Sequence, residues 1–182
     1  MPGIKPKLPF HNLSKRHYGL TLAVADSYTE AARVCLDRHH VPPVDFAISH
    51  YGNTQDAIVE WDPTDNRTKA AWANETDTTE AGAYACALAA IELTNDMVAV
   101  SRAETKTGAD YYIAPVGRRL EDLEDSYRLE VSGLDRGSAN AVRQRLQEKL
   151  DQAASGASNL PAIAGVVGFR AKLVLLQALE KE

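Results

Sequence analysis

The sequence predicts a mixed α/β protein. Its central mixed sheet has a helix–strand–strand–strand–helix–strand core flanked by helices, with a further helix and a hairpin added on the N-terminal side. Three observations carry this expectation. The alanine-rich stretch DTTEAGAYACALAAIELTN (77–95) places Tyr84, Leu88 and Ile91 at helical spacing. Three short apolar segments follow, and in the last of them, SYRLEVSG (126–133), Tyr127, Leu129 and Val131 alternate with Arg128, Glu130 and Ser132. A polar helical pattern at 138–156 and a fourth apolar run at 162–169 complete an order in which helices cover the faces of one sheet.

Taken from the N-terminus, residues 1–25 form a basic arm and 26–76 a helix and hairpin. Residues 77–170 form the core and 171–182 a C-terminal helix or tail, all in a single domain of 182 residues. In 26–40 the apolar residues Ala31, Val34 and Cys35 recur at helical spacing. Asp26 or Ser27 caps this helix, and Glu30 is placed for a capping box with Ser27. Val-Pro-Pro (41–43) stops the helix. Residues 45–63 read as a hairpin, FAISHY and DAIVEW about a Gly-Asn turn, and 66–75 as a short helix. Asp77 caps the alanine-rich helix, with Glu80 three residues on. Strands 97–104 and 109–116 form a hairpin about TKTG, and GRRLEDLED (117–125) is a charged loop. Ser138 caps the next helix, which Gly156 ends. For 171–182 a helix is favoured over a strand and tail.

Composition narrows the function classes. Apolar residues at 45% and charged residues at 25% are those of a water-soluble globular chain. No apolar run approaches the ~18 residues of a transmembrane helix, and the first residues lack the apolar core of a secretory signal, so no membrane partner is expected. Cys35 and Cys86 lie in different helical segments and read as buried thiols of a reducing, cytoplasmic compartment. The net charge of −5 argues against indiscriminate coating of nucleic acid. Residues 1–19 carry Lys5, Lys7, Lys15 and Arg16 without an acid; this arm reads as a frayed terminus first and as a polyanion contact second. The sequence shows no glycine-rich phosphate loop, no G-x-S-x-G, no Cys/His catalytic pair and no metal spacing among its five histidines.

Two carboxylates stand out. Asp110 opens one strand, and Glu130 sits in the middle of an apolar one, where a carboxylate is costly to bury unless something pairs with it. If the two strands are neighbours, both side chains reach one patch of the sheet, and Ser132 shares the face of Glu130. Convergent carboxylates suit Mg²⁺ or Mn²⁺, which polarise a phosphate and acidify an attacking water. Each residue also has an innocent reading. Asp110 reads equally as a turn cap, and Glu130 as a partner of Arg128 or Arg102. Glu80 reads as a capping-box carboxylate, and Arg118 and Arg119 as members of a solvated loop. Arg143, Arg145 and Lys149 read as one exposed helix face, with phosphate contact as the other reading. Trp61 and Trp72 read as packing residues.

The element order, with GAD (108–110) at the second core strand and LEVSG (129–133) in the third, resembles the PD-(D/E)XK nuclease superfamily over residues 77–170. That resemblance implies a restriction-endonuclease-like fold and Mg²⁺- or Mn²⁺-dependent hydrolysis of phosphodiester bonds, with DNA as the nucleic acid. It implies that Asp110 and Glu130 hold the metal, that the Val131 carbonyl assists, and that Glu80 matches the first-helix acid of some members. Ser132 stands where the family has lysine, so the amine must come from elsewhere. Lys106 in the hairpin turn, or Arg143 or Gln144 on the following helix, are the substitutes considered. Arg118, Arg119, Arg143 and Arg145 are the nucleic-acid contacts. A silent member of the same fold, acting as a binding or assembly subunit with a protein partner or as a homo-oligomer, is the alternative. A rival register, Asp96, Glu104 and Lys106, matches the consensus literally but runs into a turn.

Overall fold

The computed structural model describes residues 3–118, 125–156 and 159–179. It is a mixed α/β structure with one mixed sheet of seven strands and four α-helices among the described residues.

Helix α1 (Leu22–Asp37) begins earlier than the sequence pattern places it, because Thr21 is its cap and accepts from the Val24 N–H. Glu30 makes no capping box there. It accepts the Trp72 indole N–H at 2.7 Å. Strands β1 (Val44–His50) and β2 (Asn53–Val59) form the expected hairpin. Its turn is Tyr51-Gly52 instead of Gly-Asn, with φ of 48° and 80°, the left-handed pair that matches strand twist. After α2 (Asn66–Ala71), helix α3 (Glu75–Asn95) starts from Asn74, whose side chain accepts from the Asp77 N–H. Asp77 is therefore not the cap, and Glu80 is not a capping-box residue.

The remaining elements are β3 (Met97–Arg102), β4 (Tyr111–Pro115), β5 (Tyr127–Leu134), α4 (Ala139–Ala154), β6 (Ala162–Gly168) and β7 (Leu173–Ala178). Ser138 caps α4 as expected, accepting from the Ala141 N–H. The C-terminal segment contradicts the expectation of a helix: it is strand β7. The strand order is β2-β1-β7-β6-β5-β4-β3, with β7 parallel to β1 and antiparallel to β6. An unbroken apolar run of this length does not distinguish strand from helix by periodicity. Burial on both faces decides it: Val174 and Leu176 join the core beneath α3, while Leu173 and Leu175 pack with Val142 of α4.

The two faces of β5 are thereby assigned. Leu129 and Val131 face the core under α3, and Gly133 lies so close to that helix that a Cβ would sit 2.8 Å from the Thr79 carbonyl oxygen and the Ala83 Cβ. Glu130 and Ser132 face α4, the crossover between parallel β5 and β6.

From Lys5 onward the N-terminal arm is not frayed. Leu8 N–H donates to the Ile58 carbonyl and Ile58 N–H to the Pro6 carbonyl, sealing the outer edge of β2. Gly19 N–H donates to the Ala99 carbonyl, and the Ala99 N–H donates to His17 Nδ1, sealing the edge of β3 at the other end of the sheet. A chain as short as 9–16 spans the two edges because the sheet curls. Lys5 pairs with Asp45 and Asp56, Lys7 with Glu60 and Arg16 with Glu92, so these arm cations are neutralised within the fold. Cys35 and Cys86 are buried free thiols, and burial pushes Cys35 up to about 12. Among the described residues no helix is long and apolar enough to cross a membrane.

Candidate functional site

Pairing of β4 with β5 stops at Tyr111↔Leu129, and the two chains part just beyond it. Asp110 sits at that parting. Its N–H donates to the Leu129 carbonyl, and its carboxylate turns to accept the Val131 N–H at Oδ2, 2.7 Å away. A carboxylate thus takes the place of the next ladder partner. N–H and C=O of one strand residue point the same way, so the Val131 carbonyl is also directed past the end of β4. Tyr84 of α3 donates its hydroxyl to Asp110 Oδ1 at 2.9 Å, and the Arg102 guanidinium lies 3.7 Å from the same oxygen.

Glu130 is one residue along β5 from that contact and 7% exposed. Its partner is neither Arg128 nor Arg102. Lys149 of α4 donates from Nζ to Glu130 Oε1 at 3.0 Å and to Gln152 Oε1 at 3.1 Å. One turn earlier on the same helix, Arg145 donates from a terminal guanidinium nitrogen to the Ser132 hydroxyl at 3.1 Å, while its Nε lies 3.2 Å from Glu148 Oε2. Arg145 and Lys149 are therefore not an open solvated face; they lean over β5. Burial, followed by the negative charge of Asp110, raises the Glu130 carboxyl above its ordinary value, and the Lys149 contact offsets this only in part.

Tyr84, Asp110, Glu130, Ser132, Arg145 and Lys149 line one cavity of about 740 Å³ with Glu80 at its rim. Of the residues singled out by sequence, Asp110, Glu130, Glu80, Ser132 and Arg145 come together there. Three others do not. Lys106 is exposed in the β3–β4 turn at φ 75° and does not line the cavity. Arg118 pairs with Asp125 at 2.6 Å. Arg143 is exposed and donates to Asn140 Oδ1 at 3.0 Å. Arg119 lies outside the described residues. The rival register is not assembled: Asp96 ends α3 at φ 51°, and Glu104 accepts from the Tyr112 hydroxyl.

The sequence reading placed Lys149 on an exposed helix face and Tyr84 among the apolar positions of its helix, and passed over Asp135. The signal for Lys149 was present, since Arg145 and Lys149 each immediately precede a member of the Leu146/Leu150 stripe that turns α4 toward the sheet. Asp135, at the far end of the cavity and 8% exposed, accepts from His39 at 3.0 Å and Arg38 at 3.3 Å. Burial opposes its ionised form, but these donors win and its carboxyl is lowered. Among the described residues no three His, Cys, Asp or Glu side chains form a ready-made metal centre. Compared with known proteins, the chain matches no family model, no curated protein and no solved structure.

Proposed function

We propose that the protein is a metal-dependent nuclease of the PD-(D/E)XK type that hydrolyses phosphodiester bonds of DNA, with its amine supplied by α4. The observation that carries this reading is Lys149 Nζ at 3.0 Å from Glu130 Oε1, in the cavity that also holds Asp110. The succession α3-β3-β4-β5-α4-β6 is the order expected of that fold. The donors suit the ion. Mg²⁺ and Mn²⁺ favour hard oxygen ligands, and Mg²⁺ is commonly held by one or two carboxylates with water and substrate phosphate completing the shell. Asp110, Glu130 and the Val131 carbonyl would hold it, and the raised carboxyl of Glu130 marks a buried negative charge that a cation relieves. When bound, such an ion polarises the scissile phosphate and acidifies a water.

The chain's own residues do the rest. Lys149 has three N–H donors, and two engage Glu130 and Gln152, which leaves one for a water or a phosphate oxygen. Its charge stabilises the negative charge that grows on the phosphoryl oxygens as water attacks phosphorus. Ser132 cannot supply charge, but its hydroxyl steadies Arg145, whose remaining donors suit the non-bridging oxygens of a phosphate. The two tasks of one strand lysine are thus divided between two cations one helical turn apart.

A catalytically silent module of the same fold, serving as a binding or assembly subunit, is the second reading. One observation favours it: both carboxylates already have a protein cation within 4 Å, Arg102 beside Asp110 at 3.7 Å and Lys149 beside Glu130 at 3.0 Å. A supercoiled-plasmid assay with Mg²⁺, Mn²⁺ or chelator separates the two. The nuclease nicks DNA with either metal, stops in chelator and stops on Asp110→Asn. A wild type that nicks neither DNA nor RNA in either metal is the silent module.

A further inference from the structure

We infer that Tyr84, held in one orientation by Arg102, is a positioning residue that presents Asp110 to the cation. The inference rests on the metal-site reading above and assigns a task to residues that the reading itself does not use.

Among the described residues each oxygen of Asp110 accepts one hydrogen bond: Tyr84 OH on Oδ1 at 2.9 Å and Val131 N–H on Oδ2 at 2.7 Å. One donor comes from a helix and the other from a strand, so the carboxylate is clamped at both oxygens. A carboxylate has about four lone-pair sites, and the two that remain are those left for a cation. The direction of the Tyr84 hydrogen bond is not free. Arg102 donates to the Tyr84 oxygen at 3.2 Å, and a guanidinium has donors only. The phenol must therefore accept from Arg102 and give its one proton to Asp110. Arg102 is fixed in turn, its guanidinium carbon 4.9 Å from the ring centroids of both Tyr84 and Tyr111. Tyr28 closes the cluster from α1 with its hydroxyl 2.6 Å from that of Tyr111, and among the described residues its hydrogen bond goes there and not to Asp110.

A purely structural account of the tyrosines would need their rings and not this one hydroxyl. Two isosteric variants separate the accounts, since each removes one hydroxyl and leaves its ring in place. Tyr84→Phe releases one oxygen of Asp110. Tyr28→Phe breaks the neighbouring Tyr–Tyr bond and leaves Asp110 untouched. The measurement is Mn²⁺ titration of the full chain, read by the loss of the free Mn²⁺ electron paramagnetic resonance signal, with thermal unfolding of each variant alongside. Removing a partner that orients a metal ligand weakens binding by about 10-fold or more. Tyr84→Phe is expected to lose about that much in Mn²⁺ affinity, and Tyr28→Phe to keep the wild-type affinity whatever its melting temperature. An unchanged affinity in Tyr84→Phe overturns the inference, as does an equal loss in both variants, and either leaves the metal site standing. A wild type with no Mn²⁺ site that Asp110→Asn removes overturns the metal reading and this inference together.

Discussion

Lys149 reaches across from α4 to place its ammonium 3.0 Å from Oε1 of Glu130, a carboxylate buried in the middle of a strand. The contact joins the two elements of a β–α–β crossover at the point where the neighbouring strand, β4, has ended. If this amine does the work that Ser132 cannot, Lys149→Met lowers the rate of plasmid nicking by about 100-fold or more. Glu130 and Ser132 lie two apart on one face of β5, so a lysine installed at 132 enters the same cavity. Ser132→Lys in the Lys149→Met background therefore restores part of the lost activity, while Ser132→Lys with methionine absent from 149 adds little. Nicking by Lys149→Met at the wild-type rate removes the amine from the account.

Glu130 is expected to trade stability for its role. Its carboxyl is raised by burial and by the charge of Asp110, so the folded chain binds the proton more tightly than the unfolded chain does. A raised carboxyl loses stability as pH climbs through the window above the ordinary value of 4.5. Glu130→Gln therefore melts no lower than wild type at pH 7, although nicking is abolished, and the difference narrows as the pH falls toward 4.5. Parallel thermal unfolding at stepped pH measures this. A Gln variant that is less stable at pH 7 and regains ground in acid has the opposite sign and contradicts the assignment of burial as the dominant cause.

The approach of α3 to β5 is set by the absence of a side chain at Gly133, where a Cβ would meet the Thr79 carbonyl oxygen at 2.8 Å. That oxygen is backbone and has no rotamer to change. Gly133→Ala destabilises the fold by about 1–3 kcal/mol. It also pushes the N-terminal half of α3, with Glu80 and Tyr84, away from Asp110, so activity falls by more than the folded fraction does. Denaturant unfolding and nicking on the same preparation check both parts.

What the sequence revealed and what it hid follow from how far apart the deciding contacts lie along the chain. Alternation in SYRLEV is a local property, and it places Glu130 and Ser132 on one face of β5 without reference to any other element. Whether Glu130 has a partner depends on which face of α4 turns inward, and arginine and lysine beside an apolar stripe look the same whether they lean over a sheet or into water. Lys149 was read as exposed for that reason. Strand β7 was hidden differently. Its apolar run is uniform, and only its insertion between β1 and β6, which buries both faces, makes it a strand. The arm residues Lys5 and Lys7 had their acidic partners at Asp45, Asp56 and Glu60, across contacts that no local pattern records.

The most direct test of the account is anomalous diffraction from crystals of the protein soaked in Mn²⁺. The account predicts a peak between Asp110 and Glu130, with one oxygen of each carboxylate about 2.1 Å from the ion. A soaked crystal with both carboxylates ordered and no peak between them, or with its peak at other residues, contradicts the claim that Asp110 and Glu130 form the site.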